Sequence, residues 1–329
     1  MNSPLSLPPL SGIRVLEWAE GIPGPTVGWL LAEAGAEVLK LERPQGDRLR
    51  GELGFHVLNR GKRGLVVDLE DARAREKLRR LGAAADVVVV DEIESRLEHF
   101  GLGYDAKRWP SLVWCSVPMF PRDGAFAGTP PVDALAEAVS GISAMQWSYS
   151  GKPVYFVTPM ASYAAGFLTA FGAVAALRAR EVIGRGQRVD SSALAAAMLL
   201  QTGTYVRGPA HQGSLAAQAN DPRGVFPTYG LYQTADGWLF VGALTEAFWI
   251  SLATLVGRTD WLADPVLSSK SPLAFGDPEI RERLRPALEP IFRSATTAEW
   301  LRRFDDNDIP GGRVQSRREF LDEPTAAAI

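Results

Sequence analysis

Cysteine is nearly missing from this chain of 329 residues, with Cys115 its one example. No internal disulfide can form, and the sequence fits a reducing, cytoplasmic setting. Histidine is almost as scarce: His56, His99 and His211 are scattered, so no His and Cys spacing suits a metal ion and none is expected. Long blocks of like charge are absent too. The 35 Lys and Arg against 38 Asp and Glu leave a formal net charge of -3, which gives no electrostatic reason to expect nucleic acid as a partner. The opening MNSPLSLPPLSG lacks a basic stretch followed by an apolar one, so it reads as a short tether rather than a signal peptide.

Charge is also absent between Lys152 and Arg178. The stretch from Val154 to Leu177, about 24 residues, is long enough for a bilayer, but Pro159 splits it and its apolar part is rich in Ala and Gly rather than Leu. A buried helix of small residues beginning near Ser162 is expected instead, and no membrane. Arg178 and Arg180 then fall in its last turns, where cations suit the helix dipole, and Gly184 ends it.

What is present is a regular alternation of strand and helix patterns. GIRVLEWA (12–19) predicts a strand, GPTVGWLLAEAGA (24–36) a helix with Pro25 near its start, and EVLKLE (37–42) a second strand. RGLVVDL (63–69) follows, then a helix capped by Asp71, then DVVVVD (86–91), whose run of valines predicts burial on both faces. LVWCSV (112–117) makes a fifth strand, and further helices are expected at 132–142 and 191–201. This pattern argues for a parallel, helix-covered sheet. From about residue 203 the texture changes to a hairpin (230–244, turning at Ala-Asp-Gly), a helix (245–257), and a helix, turn and strand (296–316). The expected organisation is a large α/β domain over 1–202 and a smaller α+β domain over 203–329.

Two loops draw attention as candidate binding elements. EGIPGPTVG (20–28) puts glycines at a strand-to-helix turn where phosphates bind in dinucleotide folds, although 21, 24 and 28 are not the GxGxxG spacing. Arg43 lies in KLERPQGDRLR (40–50), and Lys62 and Arg63 precede the third strand. Such residues clamp phosphates or are solvated loop charges; their pattern alone leaves both readings open.

Taken in order, LSGIRVLEWAEGIPGPTVGWLLAEAGAEVLKLERPQGDRLR, LNRGKRGLVVDLEDARAREKL, ADVVVVDEIESRLEHFGLGYDAKR, LVWCSV, VDALAEAVSGI and AAGFLTAFGAVAALRAREVIGRGQRVD resemble successive blocks of the class III CoA-transferase family (CaiB/BaiF type). That family includes formyl-CoA transferase, carnitine CoA-transferase and α-methylacyl-CoA racemase. The likeness spans about residues 10–322. It implies a Rossmann-like large domain, a small α+β domain, and two subunits threaded through one another as linked rings. It also implies an acyl-CoA bound across the large domain and a carboxylic acid as acceptor. Under the resemblance Arg43 and Lys62 contact the nucleotide end of coenzyme A, and Gly21, Ile22 and Pro23 lie beside its adenine and pantetheine.

The same resemblance exposes a departure. Family transferases attack the thioester with an aspartate placed four residues before a glycine, making a mixed anhydride; here the segment reads Ser162-Tyr-Ala-Ala-Gly166. A serine hydroxyl carries no charge without a base, and its ester returns an acyl group to CoA less readily than an anhydride does. Ser162 is therefore either the catalytic position or a helix N-cap. Asp133, Glu137 and Asp190 are nearby carboxylates that do not align with the nucleophile. Racemase chemistry fits no better, because the positions of its acid and base fall on Val132, Ser162 and Thr245, with Glu246 one residue away. Three functions stay open: a CoA-transferase, homodimeric or paired with a paralogous subunit that supplies the aspartate; a CoA-binding scaffold without activity; and a racemase or isomerase using other residues. The sequence closes with TAAAI, sooner than the family's usual return to the large domain.

Overall fold

The computed structural model describes residues 7–91, 93–145, 148, 150–202, 222–224, 226–268, 272, 275–324 and 326; His211 lies outside them. The chain divides into two units, one of Met1–Ser143 with Tyr155–Thr202, the other of Ala144–Val154 with Gly203–Ile329.

The first unit is built on a six-stranded sheet. Its strands are β1 (Arg14–Trp18), β2 (Glu37–Glu42), β3 (Arg63–Val66), β4 (Val87–Val90), β5 (Val113–Ser116) and β6 (Arg188–Asp190), in the order β3-β2-β1-β4-β5-β6. Every pairing is parallel. Adjacent strand residues point to opposite faces, and the core splits accordingly. Val15, Val87, Val89 and Cys115 face one hydrophobic cluster, while Leu16, Trp18, Val88, Val90 and Trp114 face another. All four valines of β4 are buried, as a strand covered on both sides requires. β6 was not among the expected strands. At three residues with a charge at each end, RVD carries too little pattern to find, and its pairing to Trp114–Ser116 of β5 makes it a strand.

Helices α1 (Pro23–Glu33), α2 (Leu53–Leu58), α3 (Ala72–Ala84), α4 (Glu94–His99), α5 (Asp133–Ser140), α6 (Ile142–Met145), α7 (Met160–Ile183) and α8 (Ala193–Leu200) complete this unit's regular elements, with α6 straddling the boundary into the second unit. Asp71 caps α3 by accepting the Arg73 N–H at 2.8 Å. The uncharged run forms α7, whose Ala161, Ala165, Ala173 and Ala176 are buried in the core. By length and composition α7 would also suit a membrane, yet half of its most apolar window is inside the unit. Gly166 explains how closely it packs. A Cβ there would stand 2.5 Å from Thr26 Cβ and 2.9 Å from the Pro23 carbonyl of α1, so a side chain would push the two helices apart. Gly184 ends the helix at φ 71°. The start differs from expectation: Pro159 is the N-cap and Met160 the first helical residue, so Ser162 is the third residue of the helix and not its cap.

The second unit has an antiparallel sheet of β7 (Tyr229–Gln233), β8 (Trp238–Gly242) and β9 (Gly311–Arg313). Its helices, Glu246–Leu255, Pro278–Arg293 and Thr297–Asp305 among them, pack around an aromatic core in which the Trp249 and Trp261 rings stack 5.8 Å apart. The hairpin turns through Ala235, Asp236 and Gly237, where the Asp236 carboxylate accepts both the backbone N–H and the hydroxyl of Thr297.

Candidate active site

Strand order reverses between β1 and β4, so the connections leave their carboxyl ends in opposite directions and open a crevice there, the usual place for a ligand in such a sheet. A cleft of about 260 Å³ occupies that point, lined by Trp18 at the end of β1 and Glu20 beyond it, Arg43 and Arg48 after β2, and Arg96 of α4. Arg43 forms a two-pronged pair with Glu20 at 2.6 and 2.7 Å. Glu20 is held in turn, its N–H donating to Asp91 at 2.7 Å. Arg43 thus stays 40% exposed but fixed in direction. Arg48 is exposed and, among the described residues, has no ion pair. Sequence reasoning passed over it because one more arginine in KLERPQGDRLR looks like any loop charge; only the fold aims it.

The loop Gly21–Pro23 enters α1 beside this cleft. Gly21 has φ 76°, a backbone conformation that calls for glycine, and the Arg48 guanidinium stands 2.6 Å from where its Cβ would be. Ile22 is the N-cap and Pro23 the first helical residue, where a missing N–H costs nothing. No acidic side chain sits in the first turn of α1, but Pro23 and Pro25 have no N–H to offer and the turn is buried, so what it can give an anion is chiefly its dipole.

Lys62 does not join them. Its side chain is 1% exposed, and its ammonium donates to Glu17 at 2.6 Å, the Pro25 carbonyl at 2.8 Å and Asn59 at 3.0 Å. Three donors are all a lysine has, and here all three are taken within the chain. Lys40 holds the other oxygen of Glu17 at 3.1 Å and pairs with Asp47 at 3.1 Å. Two cations and two anions therefore balance under α1. Burial pushes the Lys62 ammonium below its ordinary range despite Glu17; for Lys40 burial acts the same way, but Glu17 and Asp47 together outweigh it and hold it above.

The Ser162 position is built differently. Ser162 is 1% exposed, and both its hydroxyl and its N–H donate to one oxygen of Asp133, the N–H at 2.9 Å. Met160 donates its N–H to Glu137 at 3.1 Å, and the Ala161 N–H also serves Glu137. Two carboxyls on α5 thereby take the orphan N–H groups of a helix whose own N-cap, proline, has nothing to offer. Burial first, and the adjacent Asp133 second, push Glu137 up to about 7. The sequence showed these carboxyls only as misaligned neighbours; register along α5 and the entry of α7 bring them to Ser162. Asp190 is elsewhere, paired with Arg188 at 2.8 Å. Of the racemase positions, Val132 offers no proton-transfer group, and Thr245 caps the helix after it through the Phe248 N–H.

Pro131, at the edge of the cleft, stands two residues before Asp133, and Gly166 seats α7 against Pro23. Cleft, glycine loop and carboxyl pair are thus neighbours within one unit. A wider recess of about 680 Å³ at the ends of β5 and β6 includes Arg122 and Arg188, both tied to the buried Glu94; in the cleft Arg43 and Arg96 are likewise paired, with Glu20 and Glu70, and Arg48 is what sets it apart.

Comparison with known proteins agrees with this architecture. The chain is 30% identical over 334 residues to a succinyl-CoA:mesaconate CoA-transferase of Haloarcula hispanica, covering 96% of this chain and 82% of that one. It is 28% identical over 334 residues to a succinyl-CoA:glutarate CoA-transferase of Mus musculus, covering 97% and 74%. A crystal structure of a hypothetical protein from Mycobacterium tuberculosis superposes with a TM-score of 0.85 at 27% identity, covering 97% of this chain and 88% of the other. CoA-transferase family III matches residues 10–328. On that match, the chain belongs to CoA-transferase family III.

Proposed function

We propose that this chain binds an acyl-CoA in the switch-point cleft and passes its coenzyme A to a carboxylic acid. The observation that carries this reading is the cleft itself: Arg43, Arg48 and Arg96 line one crevice, Arg48 without an ion pair among the described residues, beside the N-terminus of α1. Guanidinium groups with a helix dipole suit the phosphates of a nucleotide end, while Gly21–Pro23 guides the pantetheine arm toward α7. Dicarboxylic acids are the first acceptors to try, since curated relatives are named for mesaconate and glutarate. The buried free thiol of Cys115 suits a reducing cytoplasm.

The working form in this reading is a dimer of identical chains. Phe167, Phe171 and Val174 lie on one stripe of α7, and Met198, Leu199 and Leu200 end α8; all six are exposed. Aromatic and aliphatic groups grouped in this way mark a surface that another chain covers.

Calorimetric titration of the purified protein with CoA, followed by transfer assays from succinyl-CoA to a panel of dicarboxylic acids, tests the reading. Saturable binding that weakens about tenfold or more in Arg48→Ala, as expected for a lost charge-assisted phosphate contact, supports it. No CoA binding, or binding indifferent to both Arg43→Ala and Arg48→Ala, overturns it.

A further inference from the structure

We propose that Asp133 is the nucleophile of this chain, so that the carboxylate placed on α7 in family transferases is supplied here from α5. The inference rests on the transferase reading above. Its ground is positional: the Ser162 hydroxyl and N–H both bind Asp133 Oδ1, so a carboxylate oxygen already stands against the side chain at position 162. Of the three groups gathered there, Ser162 and Glu137 are each 1% exposed, whereas Asp133 is only half-buried. A thioester arriving from the cleft edge at Pro131 meets Asp133 first.

The bland role of this carboxylate is to cap α7, and Asp133 does cap it. Capping engages Oδ1, and the carboxyl also shares a hydrogen bond with Glu137; attack on a thioester requires that this second contact open. Ser162 is the rival nucleophile, with Asp133 as its base. Its burial and the stability of a serine ester toward a returning thiolate tell against it. In contrast, a carboxylate is a nucleophile in its own right and needs no base beside it.

The steps balance without any further reactant. An Asp133 oxygen attacks the thioester carbonyl, the C–S bond breaks, and CoA leaves as thiolate, giving an anhydride between Asp133 and the acyl group. The thiolate attacks the Asp133 carbonyl of that anhydride, releasing the first carboxylic acid as its anion and leaving an Asp133–CoA thioester. The acceptor carboxylate attacks the same carbonyl, expelling CoA thiolate and forming a second anhydride. Attack of the thiolate on the acceptor's acyl carbon yields the new thioester and frees the Asp133 carboxylate. No paralogous subunit has to lend an aspartate. Ser162 acts in this scheme as a positioning residue, holding Oδ1 so that Asp133 meets the thioester in one orientation.

The test treats the whole protein with succinyl-CoA, quenches with hydroxylamine, and maps the modified peptide by mass spectrometry. A hydroxamate on Asp133 is expected, since hydroxylamine captures the Asp133–CoA thioester. A serine ester would instead release the acyl hydroxamate and leave Ser162 unchanged. Asp133→Asn keeps an acceptor for both Ser162 bonds, and its CoA affinity checks that it folds. It should lose about a thousandfold or more in turnover, and adding Ser162→Asp should restore transfer above the single variant. Wild-type turnover in a folded Asp133→Asn, or a hydroxamate on Glu137, overturns the assignment while leaving the transferase reading intact. Wild-type protein that binds CoA yet transfers nothing to any acceptor brings down the transferase reading, and the assignment with it.

Discussion

Two buried polar clusters stand near α1 and α7, and they are made by opposite rules. Under α1, Glu17, Lys40, Asp47 and Lys62 are all but sealed from solvent, with each charge facing an opposite one. At the start of α7, Asp133 and Glu137 gather with no cation paired to them among the described residues; backbone N–H groups, the Ser162 hydroxyl and a hydrogen bond between the two carboxyls hold them. The first arrangement balances charge and so holds the fold. The second leaves two acids competing for one site, which raises the proton affinity of one of them. The first cluster settles its charges; the second keeps two carboxyls side by side.

Removing the hub of the balanced cluster breaks this comparison most directly. Glu17→Gln leaves Lys40 with Asp47 but strips Lys62 of its only anion among the described contacts, and an uncompensated buried charge costs about 3–5 kcal/mol. Urea unfolding should show a loss of that size. A loss below about 1 kcal/mol, the range of exposed ion pairs, would mean that water reaches the cluster and that its seal is not what holds it.

How much of this was legible beforehand follows from the range of the forces involved. β1, β4 and β5 were readable because apolar runs such as VVVV encode burial locally, and Asp71 and Gly184 were readable because caps act within a turn. β6 was not, since RVD becomes a strand only through β5. The site divides in the same way. Arg43 lines the crevice and Gly21 lies against Arg48 at its edge, as the strand-to-helix turns suggested, whereas Lys62 looks identical in sequence whether it faces solvent or Glu17, 45 positions away. Asp133 and Ser162, 29 positions apart, meet only through the packing of α5 and α7, and nothing local in either segment announces it.

Lys62→Met sharpens that contrast with a smaller effect. Glu17 keeps Lys40 as partner, and the long apolar side chain fills the vacated space, so the cost should be about 1–3 kcal/mol, that of buried acceptors losing a donor. CoA affinity measured by calorimetry should stay within about twofold of wild type, a change well inside one hydrogen bond. A tenfold weaker affinity in a folded variant would return Lys62 to the binding site and dissolve the division between a sealed cluster and an open cleft.

The smallest effect expected is a slope rather than a loss. Glu137 titrates at about 7 in the folded chain against an ordinary 4.5, so the fold favours its protonated form. The stability this provides is fully present below about 4.5 and disappears as pH rises through about 7, because the unfolded chain gives up its proton sooner and gains nothing by keeping it. Asp133 is the charged group facing it from α5, and the first turn of α7 offers it N–H groups. Glu137→Gln removes the titration while keeping an acceptor for Met160. The difference in unfolding free energy, wild type minus variant, should therefore fall steadily between those two pH values and level off above them. A difference that stays flat would place Glu137 among ordinary ionised carboxylates, and the cluster at Ser162 would then hold two charges by hydrogen bonding alone, as settled as the one under α1.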